Sequence, residues 1–141
     1  MATHPEIVMA CTYDWTPRCV VKTFSGFVSA VEFIESAETV GADPRFDELR
    51  LIINDLSAIE GHAIDAPAYL HVAATRIGAM QTNANYRVAF VVRPGDARGF
   101  EETFRSGLQG MPFDPVVVAT MAQARGWMPE AAVFNDPAFG C

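Results

Sequence analysis

The sequence predicts an α/β domain built on a mainly parallel sheet, and three observations support this. The runs Leu49–Asn54 (LRLIIN), Tyr86–Val92 (YRVAFVV) and Pro115–Ala119 (PVVVA) are nearly continuous in apolar residues, as strands covered on both faces are. Segments with apolar residues at helical spacing alternate with these runs, which implies crossover units. Two further strand-like runs precede the first helix and form an antiparallel hairpin at one edge. The predicted order is ββαβαβαβα. The chain has 141 residues and domains usually run to roughly 100–150, so residues 1–128 form one domain and 129–141 a tail.

Each element has a local cause. Ile7–Thr12 and Cys19–Phe24 are enriched in Val, Ile, Thr and Phe, and Asp14-Trp15-Thr16-Pro17 between them is turn material. From Phe27 the period changes: Phe27, Ala30, Val31, Ile34 and Ala37 share one helical face, with Glu32, Glu35 and Glu38 opposite. Gly41-Ala42-Asp43-Pro44 ends that helix. After LRLIIN a loop runs through Gly61. Asp65 caps the second helix, and Pro67 sits in the first turn, where amides have no helical partner. Leu70, Ala73, Ala74, Ile77 and Met80 form its expected buried stripe, and Asn83–Asn85 ends it. Phe100, Phe104 and Leu108 are the stripe of a third helix, closed by Gly110–Pro112. Thr120 with Gln123 has the pattern of a capping box, starting a short last helix that Gly126 ends, with Trp127 docked on the core.

Composition narrows the function class. Half of the residues are hydrophobic and the formal charge is -7, with 10 Lys+Arg against 17 Asp+Glu. Lys22 is the one lysine. An acidic chain without a basic cluster repels phosphate backbones and anionic lipid, which excludes nucleic acid and the membrane surface as expected partners. No apolar run is long enough for a transmembrane segment. The opening MATHPEIVMA lacks a basic region followed by an apolar run, so a cytoplasmic protein is expected. Cys11 and Cys19 fall on the two hairpin strands, which leaves a bridge between them open. Reduced thiols packed as small apolar residues are the plainer expectation, with the Cys141 thiol exposed.

Motifs of known chemistry are sparse. His62 and His71 have no carboxylate or cysteine at a ligand spacing, so no metal and no cofactor are expected. Gly107-Leu108-Gln109-Gly110 ends a helix before a strand and is no RNA clamp. Gly95 and Gly99 lack the remaining glycines of a dinucleotide fingerprint. The polar cluster in a site-like position is Asp55, Ser57, Glu60, Gly61, His62 and Asp65, just past a buried strand where ligands of open α/β sheets collect. Ser57, His62 and Asp55 have the types for a nucleophile, base and orienter of a small hydrolase. The simpler role is structural, with Asp55 and Ser57 capping loop amides and His62 solvated. Phe33 falls outside the first helix's stripe, and the many aromatics are either core or a partner surface on or beside that helix.

Asp55-Leu56-Ser57-Ala58-Ile59 followed by Ile64-Asp65-Ala66-Pro67-Ala68 resembles the STAS family, the sulphate-transporter and anti-sigma-factor-antagonist domains, in its SEC14-like bacterial stand-alone branch. In that family a Ser or Thr after the helix-start Asp is phosphorylated. Ala66 and Pro67 stand there in this chain, so a phosphate switch at that site is chemically impossible. The resemblance implies a non-catalytic binding module. Its expected site is Asp55, Ser57, Glu60, Gly61, His62, Asp65, Ala66 and Tyr69, and its expected partner a protein or a small amphipathic ligand. A homodimer through the first helix or the edge hairpin is a third expectation.

Overall fold

In the computed structural model, residues 11–79, 82–108 and 115–128 are described. Five strands form the main sheet in the order β1-β2-β4-β6-β7: β1 (Cys11–Thr16), β2 (Cys19–Phe24), β4 (Leu51–Asp55), β6 (Arg87–Val91) and β7 (Val116–Val118). β1 is antiparallel to β2, and every other pairing is parallel. The sheet class and the edge hairpin are therefore those expected. Two short strands were not: β3 (Gly26–Val28) and β5 (Ile59–His62) pair in parallel as a separate ribbon. The sequence alone places residues 59–61 in a loop. Gly26 adopts φ +65°, a conformation glycine takes without a steric penalty, and turns the chain from β2 into β3.

The hairpin turn is tighter and later than predicted. Asp14, Trp15 and Thr16 are β1 residues, and the chain reverses at Pro17-Arg18. Residues 7–10 of the expected first strand lie outside the described residues, as do Met80, Gly110–Pro112 and the tail with Cys141. In register, Thr16 faces Cys19 whereas Cys11 faces Phe24. The two cysteines are thus at opposite ends of the hairpin, about 17 Å apart along the strand. No bridge joins them. Cys11 is a free thiol, while Cys19 is in a disulfide, which corrects the expectation of reduced thiols for that residue.

Helices α1 (Ala30–Ala42), α2 (Ala66–Ala79) and α3 (Ala97–Gly107) cover one sheet face, where Phe24, Phe33, Tyr69, Phe90, Phe100 and Phe104 share a core. The other face carries α4 (Met121–Arg125), with Leu51, Ile53, Ala89 and Val91 packed under Ala124 and Met128. α1 starts three residues later than its periodicity suggested. Ser29 Oγ accepts the Glu32 amide at 3.1 Å, and Glu32 Oε1 accepts the Ser29 amide at 2.9 Å. This capping box fixes a different rotation: Phe33, Ser36 and Val40 are buried, while Val31 is exposed. Phe33 is therefore core and not surface. α2 is also rotated, burying Ala68, Tyr69 and Ala73 and exposing Leu70 and Ile77. The α3 stripe of Phe100 and Phe104, the α4 capping box and the docked Trp127 match expectation.

Buried Asn83 ties the two halves of this layer together. Its amide nitrogen donates to the carbonyls of Phe46 and Leu49, at 2.8 and 2.9 Å, and its Oδ1 accepts the Asn85 amide. At the other end, α2 and α3 touch through Gly107, where an added Cβ would lie 2.8 Å from the Ala66 carbonyl oxygen. That neighbour is backbone and cannot turn away. Gly107→Ala should therefore lower stability by about 1–3 kcal/mol, the usual range for overpacking. Denaturant titration of the two proteins measures it, and equal midpoints would contradict the close approach.

Candidate functional site

The loop singled out by sequence sits at the carboxyl ends of the parallel strands, but most of its polar side chains are taken up in local turns and caps. Asp55 Oδ1 accepts both the Ser57 amide at 3.0 Å and the Ser57 hydroxyl at 2.6 Å. This is a local turn of the kind Asp and Ser favour. His62 Nδ1 accepts the Ile64 amide at 3.0 Å, and the ring stacks on Phe100 at 4.6 Å between centroids. Partial burial lowers the His62 pKa, and Asp96 opposes that shift. No hydrogen bond joins His62 to Ser57 or Asp55, so the nucleophile–base–orienter arrangement is not assembled. Asp65 caps α2 by accepting the Ala68 amide at 2.9 Å. Glu60 is exposed on β5, and Gly61 lies against the Phe27 ring. Ala66 is pinned against Gly107. Among the described residues, no three His, Cys, Asp or Glu side chains converge as metal ligands.

Tyr69 does not belong with this set. It is buried among Phe33, Phe90 and Phe104, with ring centroids 5.7, 5.6 and 4.2 Å away. There it lines a cavity of about 80 Å³ between the sheet and helices α1 and α2. Phe33 and Val40 of α1 and Ala73 of α2 form apolar walls, and the sheet supplies the floor. The floor carries two polar residues. Lys22 on β2 stands level with Asn54 on β4, and both are buried, at 3% and 2% exposure.

Neither is satisfied in the manner of a structural polar group. Asn54 Oδ1 finds no hydrogen-bond partner. Lys22 forms no ion pair among the described residues; its Nζ lies 5.5 Å from the centroid of Phe33 and 5.6 Å from that of Phe24. Ring faces attract a cation but replace only part of its lost hydration. Burial accordingly pulls the Lys22 pKa down from 10.5 to about 8, with Cys11 acting weakly the other way. Burial also raises the Cys11 thiol, which leaves it neutral at pH 7, so among the described residues the ammonium has no counter-ion. Tyr69 is raised well above 10.0 by burial, opposed by Arg76, so its hydroxyl keeps its proton. Arg76, at the cavity's side, donates to the Tyr86 carbonyl at 2.9 Å.

Sequence reasoning passed over this site although two signals were present. In CVVKTF the alternation puts Lys22 on the same face as Val20 and Phe24, and in LIIN Asn54 shares a face with Ile52. A lone lysine at a core-facing strand position is itself unusual.

The Lys22 shift has a sign that can be tested. The folded chain holds this proton less tightly, so the unfolded chain binds more protons between pH 8 and 10.5, and the group's contribution to stability rises with pH in that window. Cys11 and the tyrosines Tyr13, Tyr69 and Tyr86, all raised, act oppositely from about pH 9 upward. Comparison with Lys22→Met isolates the lysine. The variant should be more stable than the wild type at pH 7 by about 3 kcal/mol or somewhat less, since the rings compensate in part. The gap should narrow from pH 8 to 10.5. Urea unfolding across that range checks it, and a less stable variant at pH 7 would contradict an uncompensated cation.

No family model matches the chain, and no curated protein matches it. Two chains among solved structures do match. One is an uncharacterised protein from Shewanella loihica PV-4, described as a DUF3478 family member with a SpoIIAA-like fold. It is 12% identical over 85% of this chain and 93% of that one, with a TM-score of 0.48. At this score the α/β assignment rests on the strand order of the chain itself, a mainly parallel five-stranded sheet with an antiparallel edge hairpin.

Proposed function

We propose that this chain is a non-catalytic binding module that holds a small amphipathic molecule in the cavity beneath α1 and α2. One observation carries this: an apolar cavity whose floor presents a buried cation and an unpartnered amide oxygen. Ligand sites are typically apolar with a few polar groups that fix orientation. An unsatisfied polar group costs stability in the empty protein, which a ligand offsets on binding. The loop at Asp55–Asp65 offers no such buried group: Asp55 pairs with Ser57, His62 and Asp65 accept backbone amides, and Glu60 is exposed.

The test is an amide-resolved NMR titration with hexanol. Saturable shifts are expected at Lys22, Asn54, Tyr69 and Ala73. Ala73→Leu, which fills the space from α2, should abolish them while leaving the far-ultraviolet circular dichroism unchanged. Shifts that persist in the filled variant, or none in the wild type, would remove the cavity as the site.

A second reading has its own support. Phe27 and Val31 are 61% and 63% exposed beside the β3–β5 ribbon, a suitable surface for a protein partner or a second copy. If the chain self-associates there, sedimentation at micromolar concentration should show a dimer that Phe27→Asp dissociates. A monomer for both proteins would rule out self-association.

A further inference from the structure

The polar content of the cavity is asymmetric. Among the described residues its lining contains Lys22 and Arg76 and no Asp or Glu, in a chain where acids outnumber bases by 17 to 10. Among the described residues, Asn54 and the hydroxyls of Tyr69, Thr75 and Tyr86 make up the rest of the polar lining. The ammonium at the floor lacks a counter-ion among the described residues, and a buried cation is stabilised by a paired anion far more than by aromatic faces. Among the described residues, then, none supplies the missing charge.

Resting on the cavity as the binding site, we infer that its ligand is a small monocarboxylate with an apolar body. Its carboxylate accepts from the Lys22 ammonium and, with the Asn54 side-chain amide turned over so that Nδ2 and not the acceptor Oδ1 faces it, from Asn54, and its body lies against Phe33, Val40 and Ala73. A single charge fits the floor. A phosphate, with a charge of about -1.5 to -2 and three acceptor oxygens, would need more donors than one ammonium and one amide provide. Size restricts the body. An apolar cavity of about 150 Å³ takes a benzene, and about 80 Å³ here encloses a shorter segment. Gly41 and Thr75 are exposed lining residues, so the remainder of a longer chain leaves between the ends of α1 and α2.

The experiment compares hexanoate with hexanol on the full chain at pH 7, by the same NMR titration, for the wild type and Lys22→Met. Hexanoate should bind the wild type at least about tenfold more tightly than hexanol, as a charge-assisted hydrogen bond in an apolar setting supports. Lys22→Met should lose that preference while still binding hexanol, which also shows that the variant is folded. Equal affinities in the wild type, or a preference that survives the substitution, would overturn the carboxylate inference and leave the cavity reading standing. Absence of binding by both probes would overturn both.

Discussion

In-register parallel pairing of β2, β4 and β6 is the constraint on which the rest depends. Val20, Ile52 and Val88 fall in one row, and Lys22, Asn54 and Phe90 in the next, all on the face beneath α1 and α2. A shift of one residue in β2 would send Val20, Lys22 and Phe24 to the face covered by α4. The aromatic cluster of Phe24, Phe33, Tyr69 and Phe90 would then lose its floor. With this register fixed, a lysine and an asparagine are committed to the most apolar part of the molecule. The helices above them must leave space, and they do.

The helices are positioned by devices at their ends. The Ser29–Glu32 box sets where α1 begins and therefore which side chains face down; Gly107 lets α3 approach α2 at Ala66; Asn83 holds the strand-entry loop against the end of α2. Two of these contacts engage residues of the cavity wall, Asn83 at Phe46 and Gly107 at Tyr69. The loop at the carboxyl ends of the strands performs the same kind of service. Asp55, Ser57 and Asp65 use their oxygens to close a turn and start a helix, and His62 anchors a ring on Phe100.

Where a single element is nearly all apolar, the sequence was easy to read. LIIN and PVVVA are strands whichever neighbours they acquire, and Phe100 and Phe104 leave one plausible face for α3. Ambiguity arose where two patterns coexist. Both Phe27–Ala37 and Phe33–Val40 have helical spacing, and the Ser29-x-x-Glu32 motif, visible in the sequence, decides between them. The β3–β5 ribbon could not be foreseen from residues such as Glu60, Gly61 and His62, because it is held by backbone pairing between segments about thirty residues apart. The candidate site was missed for a related reason. Polar residues gathered along the chain drew attention to Asp55–Asp65, whereas Lys22, Asn54 and Tyr69 are distant in sequence and become neighbours only through sheet register and the rotation of α2.

Burying the one lysine has a further chemical consequence. Among the described residues the surface presents cationic charge through arginine alone, so amine-directed modification of side chains has a single target, and that target is inside the cavity. An acylating reagent can reach it only when α1 and α2 part or the mouth admits it. The rate at which Lys22 is labelled therefore reports the opening of the helical layer, and one residue serves as a clock for the protein's internal motion.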